Sequence, residues 1–225
     1  MNVYERRIIG YADILGWSNS CNNLAQIPYL QKAANAIADY ALKFSLSVNE
    51  SLKSAEGLPS STIEHHARIR FSFFSDNFAV SAPVDNAQTI FRILAFATHE
   101  LLRSGFLIRG AVTLGGLHHD CRGVIFGPAL IEAVNMEKMA CYPRLLCSDN
   151  MIEFLDTTDY KEKVIVRDRD KKWVANIACG SSHAMTDLNK IIEEKLTMQT
   201  KVTDKWRYVQ QMLPLMYEAC GMGKC

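Results

Sequence analysis

The sequence is first informative in what it lacks. No apolar run among its 225 residues approaches the roughly 18 that span a bilayer, so no membrane crossing and no direct membrane contact are expected. The opening residues, Met1-Asn2-Val3-Tyr4-Glu5-Arg6-Arg7, are too polar to start a signal peptide. Charge of one sign is not in excess: 25 Lys and Arg face 24 Asp and Glu, for a net charge of +1. That near-balance removes the electrostatic footprint of a nucleic-acid partner. There is no CxxC pair. The seven cysteines (Cys21, Cys121, Cys141, Cys147, Cys179, Cys220 and Cys225) are odd in number, and His118 and His119 near Cys121 match no common zinc spacing. A reduced, cytoplasmic protein with buried thiols is expected. Repeats, linkers and low-complexity segments are also missing. With 48% hydrophobic residues, the chain reads as one domain around a sizeable core.

What is present is organised around Tyr11-Ala12-Asp13-Ile14-Leu15-Gly16-Trp17-Ser18. The apolar run Ile8 to Ala12 reads as a buried strand, and it delivers Asp13 where the strand is expected to give way to a loop. Gly16 frees the backbone just beyond, so several N–H groups can turn toward an anion. A carboxylate beside such a turn suits a metal–triphosphate complex. An Asp after a strand is also a common turn former or helix cap.

Further along, 24–52 reads as a long helix beginning near Pro28, and 54–61 as a polar surface loop. Arg68 to Ser81 reads as two strands meeting in a tight turn at Ser75-Asp76-Asn77. Alternation puts Arg70, Ser72 and Phe74 on one face and Ile69, Phe71 and Phe73 on the other. A helix capped by Asp85 or Asn86 runs to Arg103, and Phe106 to Leu114 is a strand ending at Gly115-Gly116. His118, His119, Asp120 and Cys121 then fall in an exposed polar loop; a metal or catalytic cluster is the other reading of those four. Gly123 to Gly127 is a short strand, Pro128 opens a helix to about Ala140, and Arg144 to Cys147 is a strand. A hairpin turning at Asp168-Arg169-Asp170 and two helices, 185–200 and 203–218, complete the chain. The order specifies an α+β layered sheet.

These pieces resemble a family. Tyr11 to Ser18 is similar to the first metal motif of class III nucleotidyl cyclases, aromatic-x-Asp-Ile-x-Gly-Phe-Ser/Thr. Phe74-Ser75-Asp76-Asn77-Phe78-Ala79-Val80 resembles their second, a hairpin tip of the form Gly-Asp-x-x-x-Ala, with Ser75 replacing the Gly. Ile108 to Val112 and the Gly127 to Glu137 helix resemble later segments, so the likeness covers about residues 5–150. It implies the cyclase catalytic fold, a palm or ferredoxin-like, antiparallel-rich sheet with flanking helices. The catalytic core would occupy 1–160, and 161–225 would be a C-terminal hairpin and helices packed on the same domain. It further implies a homodimer with nucleotide sites at the interface. Asp13, Asp76 and the Ile14 carbonyl would hold two divalent cations, Mn²⁺ or Mg²⁺. Backbone groups of Leu15, Gly16, Trp17 and Ser18 would receive the β- and γ-phosphates.

The departures narrow the substrate. On this alignment the base-reading Lys of purine cyclases becomes Ser72 and their base-reading Asp becomes Val124. Their transition-state Asn and Arg become Ile131 and Asn135. Positive charge must then come from Arg70, Arg109 or Arg144. Arg70 and Ser72 are expected at the base or phosphate pocket, with Tyr142 and Arg144 after the interface helix. Gly127 to Ala133, Glu137-Lys138 and Tyr142-Pro143-Arg144 resemble the bacterial pyrimidine cyclases of the Pycsar antiphage system. That resemblance implies conversion of UTP to 3′,5′-cyclic UMP and pyrophosphate, the messenger acting on a separate effector. The alternatives are a cytidylate cyclase, a purine cyclase, and a degenerate nucleotide-binding regulator without catalysis.

Overall fold

The structure is a computed structural model and describes residues 3–53, 69–179, 185–198 and 202–221. One sheet forms the centre. β1 (Glu5–Leu15) lies between β3 (Asn77–Pro83) and β4 (Leu107–His119), and β2 (Arg70–Phe74) forms a hairpin with β3. Beyond β4 come β6 (Leu145–Cys147), β8 (Trp173–Ala175) and β7 (Ile165–Arg167), while the short β5 (Ile125–Phe126) folds back on β4. The order is β2-β3-β1-β4-β6-β8-β7, antiparallel except for β4 against β6.

Period-two alternation divides β1 between two cores. Ile8, Ala12 and Ile14 join Val80, Ile108 and Val112 under α2 (Ile27–Lys53) and α3 (Ala87–Arg103). α1 (Trp17–Cys21) links β1 to α2. Leu30, Ala33, Ile37 and Ala41 of α2 and Ile90, Phe91, Leu94 and Leu101 of α3 recur at three- and four-residue steps and meet that face. On the other face Ile9, Tyr11, Ala79, Leu107 and Ala111 pack under α4 (Pro128–Met139). After α5 (Asp149–Leu155) and α6 (Lys161–Val164), α7 (Met185–Thr197) and α8 (Thr203–Ala219) add Leu188, Ile192, Trp206, Val209 and Leu213 to the same core.

Three expectations are corrected. β1 does not stop before Asp13: Ile14 and Leu15 remain paired with Ile108 and Leu107, so the carboxylate stands inside a strand. β4 does not end at Gly115-Gly116 but runs on to His119, because Gly115 and Gly116 still pair with Arg7 and Arg6. His118 and His119 are therefore strand residues, not an exposed loop. Neither Asp85 nor Asn86 caps α3 through its side chain; a 3₁₀ turn, Val84–Asn86, leads into it instead. The loop expected over 54–61 lies outside the described residues.

Candidate active site

The site forms where the β2–β3 tip is stitched to the end of β1. Asp13 pairs in register with Asn77 on one side and Arg109 on the other. The Ile14 N–H donates to the Asp76 carbonyl at 2.7 Å, which fixes the hairpin tip, and with it the second carboxylate, against β1. Asn77 Nδ2 donates to Asp76 Oδ1 at 2.8 Å, and Tyr11 Oη donates to Asn77 Oδ1 at 2.5 Å. The same rung brings in a cation. Arg109 Nη2 approaches Asp13 Oδ2 at 3.4 Å, while its Nε donates to Glu137 on α4.

Charge in this cluster is strained toward the negative. Burial, first, raises the Asp13 pKa above the ordinary carboxylate value, followed by the Glu137 charge; Arg109 opposes, Asp76 adds to the rise, and Lys205 of α8 opposes. The Tyr11 hydroxyl is pushed up to about 12 by burial and then by Glu137, Asp13 and Asp76. A site that resists the ionisation of its own carboxylate gains by taking up a cation. Among the described residues no group of three or more His, Cys, Asp or Glu is gathered to hold a metal. Mg²⁺-like ions take one or two carboxylates and complete their shell with water and substrate phosphate. Asp13, Asp76 and the backbone at Ile14 fit that role.

The segment after β1 also has the form an anion needs. Gly16 takes φ +86° and ψ +8°, a left-handed conformation open to glycine at little cost, and starts α1. The amides of Trp17 and Ser18 stand in a first helical turn, where N–H groups are free of intrahelical partners by rule. The Trp17 ring points to the core, 5.7 Å from Phe73.

The other sequence-derived candidates separate. Ser72 is buried and bonded to His119 and the Gly123 carbonyl, which places it beside Val124. Arg70 lies near enough to His119 to disfavour its protonation. Asn135 is exposed on α4, as is Ile131, on the side turned away from the buried Glu137. Arg144 is corrected. It is 5% exposed and held by Asp168 and Asp170 in a cluster with Tyr208 of α8, not beside Asp13 and Asp76. Tyr142 stacks on Tyr208 at 4.8 Å in the same cluster. His118 stacks on Phe126 and His119 bonds two serines, so the four-residue metal cluster is not formed.

Sequence reasoning missed Glu137 as a site residue. Its signal was available: Ala129, Ala133 and Glu137 recur at four-residue steps, putting a carboxylate on the buried stripe of α4. Tyr11 and Asn77 flank the two aspartates, but only strand register shows that they touch. Lys205 comes from 129 residues beyond Asp76 in sequence and had no signal.

No family model matches the chain, and no curated protein matches it. Solved structures do. The guanylyl cyclase domain of the RhoGC fusion protein from the aquatic fungus Blastocladiella emersonii is 11% identical, with 76% of this chain covering 95% of that one at a TM-score of 0.50. The adenylyl cyclase CyaB from P. aeruginosa is 14% identical over 75% of this chain and 91% of its own, at a TM-score of 0.47. At these identities the likeness is one of architecture: the chain has the class III nucleotidyl cyclase catalytic fold.

Proposed function

We propose that the protein is a nucleotidyl cyclase acting on a pyrimidine nucleoside triphosphate, with UTP favoured over CTP. The observation that carries the reading is the joining of Asp13 and Asp76 through the Ile14–Asp76 bond, in a cluster whose electrostatics call for cations. Two Mg²⁺ or Mn²⁺ ions held there would acidify the ribose 3′-hydroxyl and neutralise the triphosphate. Asp13 and Asp76 orient that end of the nucleotide, and the Leu15 to Ser18 backbone receives the β- and γ-phosphates. Arg109 is the cation that the α4 helix lacks. Held by buried Glu137, it faces Asp13 and can follow charge developing on the α-phosphate. The 3′-hydroxyl proton passes to solvent as its oxygen bonds to the α-phosphorus, the bond to the β-phosphate oxygen breaks, and pyrophosphate leaves.

The base preference rests on Ser72 and Val124. Neither carries the charge with which purine cyclases read their base, and Ser72 bonds the Gly123 carbonyl next to Val124. In this reading the active protein is a cytoplasmic homodimer, and its cyclic nucleotide acts on a separate antiphage effector. The test is incubation with ATP, GTP, CTP or UTP and Mn²⁺, with products read by mass. Cyclic UMP or CMP alone supports the reading; cyclic AMP or GMP overturns the base preference and keeps the metal site. A second reading, a regulator that binds nucleotide without turnover, is favoured by Ile131 and Asn135 where the transition-state pair stands in the family. Pyrophosphate release that disappears in Asp13→Ala and Asp76→Ala excludes it.

A further inference from the structure

A buried polar chain runs from β1 to the turn between β4 and β5, and its hydrogens can be assigned one by one. Gly123 O can only accept, so Ser72 Oγ donates to it at 3.1 Å. Ser72 Oγ must then accept from His119 Nε2 at 2.9 Å, which places the imidazole hydrogen on Nε2. His119 Nδ1 is left as an acceptor for Ser81 Oγ at 2.8 Å, and Ser81 Oγ in turn accepts from Arg7 Nε at 3.1 Å. Every hydrogen runs one way, from Arg7 through Ser81 and then from His119 through Ser72. A neutral imidazole is required, and burial with the Arg7 and Arg70 charges holds its pKa down at about 3.

The chain ends on a turn that is rigid in itself. Asp120 Oδ1 accepts from the Arg122 and Val124 amides at 2.9 and 3.0 Å. Gly123 has φ +85°, and a Cβ there would lie 3.2 Å from Ser72 Oγ, so position 123 admits glycine and the turn sits flush on β2. Ser72 pairs with Ala79, Ala79 with Tyr11, and Asp13 lies two residues beyond. Two rungs along and two strands across amount to about 12 Å between the Ser72 and Asp13 backbones, within the length of a nucleoside triphosphate.

We infer that His119 is a specificity-positioning residue: by bonding Ser81 and Ser72 at once, it locks the 120–124 turn, and hence Val124, onto β2 as the wall the nucleobase meets. This rests on the cyclase reading above. His119 touches no reacting atom, so its loss acts on recognition of the base. In His119→Ala the KM for the preferred pyrimidine triphosphate rises about tenfold with kcat within about threefold. The ratio of kcat/KM between pyrimidine and purine falls by a similar factor. Gly123→Ala, which pushes the turn off Ser72 while sparing Arg7, Ser81 and His119, gives the same split.

The same variants are titrated with fluorescent pyrimidine and purine triphosphates in Ca²⁺, so that binding is read without turnover, and imidazole ¹⁵N shifts of the wild type report the tautomer. Affinity loosened about tenfold in both variants, with an Nε2–H imidazole, supports the inference. Unchanged affinity and discrimination in both folded variants overturn it, as does an Nδ1–H tautomer. Binding without turnover in the wild type removes the cyclase reading and leaves the lock to be judged by affinity. A wild type that binds no nucleotide overturns both.

Discussion

At the scale of single residues, Asp13 shows how stability and function oppose each other. Its pKa is raised, so the folded state holds that proton more tightly than the unfolded chain does. Its contribution therefore falls as pH rises from the unfolded carboxylate value through the higher folded one, and at neutral pH the metal-free site is a cost. Asp13→Asn should raise Tm without metal and abolish the further rise that Mn²⁺ gives the wild type, while lowering kcat by roughly 10²–10³. Scanning calorimetry with and without Mn²⁺ checks this. A metal-free variant less stable than wild type contradicts it.

His119 has the opposite sign of acid behaviour. Its folded pKa, about 3, lies well below the ordinary 6.5, through burial first, then Arg7 and Arg70, with Asp120 opposing and His118 adding. Between those values the unfolded chain binds a proton that the folded one refuses, so stability falls as pH drops through that window, by at most about 1.4 kcal/mol per pH unit. Urea unfolding of His119→Gln from pH 7 to 4 should give a flatter profile. An unchanged slope counts against a neutral buried imidazole.

At the scale of elements, Ser75 at the β2–β3 tip takes φ +56°, where a side chain costs about 1–2 kcal/mol. Glycine returns part of that as chain entropy, about 0.5–1 kcal/mol. Ser75→Gly should raise Tm by about 2 °C, leaving Asp76 in place. A lower Tm means that the serine hydroxyl supplies something the backbone does not. The last helix is pinned more strongly. Tyr208 Oη donates to Asp168 Oδ2 at 2.5 Å, and buried Arg144 binds both Asp168 and Asp170. Removing one partner of a buried ion pair costs about 3–5 kcal/mol. Asp168→Asn should lower Tm by about 10 °C and expose Trp206, read as a fluorescence red shift.

These elements also mark how far the sequence could be read. β1, the Asp76 hairpin, α4 and the C-terminal pair were legible because each carries its own period and its own breakers. Strand ends were not. Asp13 looks like the end of a strand and the Gly115-Gly116 pair like a breaker, yet the chain at and beyond each still had partners across the sheet, and tertiary pairing overrode local preference. The two aspartates were legible because their neighbours form motifs. Glu137, Lys205 and the Ser72–His119–Ser81 chain were not, since each depends on which strands lie side by side. The carboxylate partners of Arg144, 24 and 26 residues away, had no signal for the same reason.

At the scale of the whole molecule, α4 has a buried and an exposed identity. Ala129, Ala133 and Glu137 turn inward to the site, while Ile131 and Met139 are 63% and 55% exposed. Phe126 and Tyr142 are exposed at the two ends of the same helix. Apolar side chains collected on one helix face of a single chain are what a protein–protein contact covers. In the proposed homodimer this is the face that a second copy takes. Met139 carries no part of the proposed chemistry, so Met139→Glu reports association alone. Light scattering should find wild-type dimer and Met139→Glu monomer at micromolar concentration. Cyclase activity should fall more than tenfold in the variant and, for the wild type, fall per molecule on dilution. A wild-type monomer with undiminished specific activity on dilution would place a complete site in one chain, with Arg109 and Glu137 as its only described cation and carboxylate beside the two aspartates apart from Lys205.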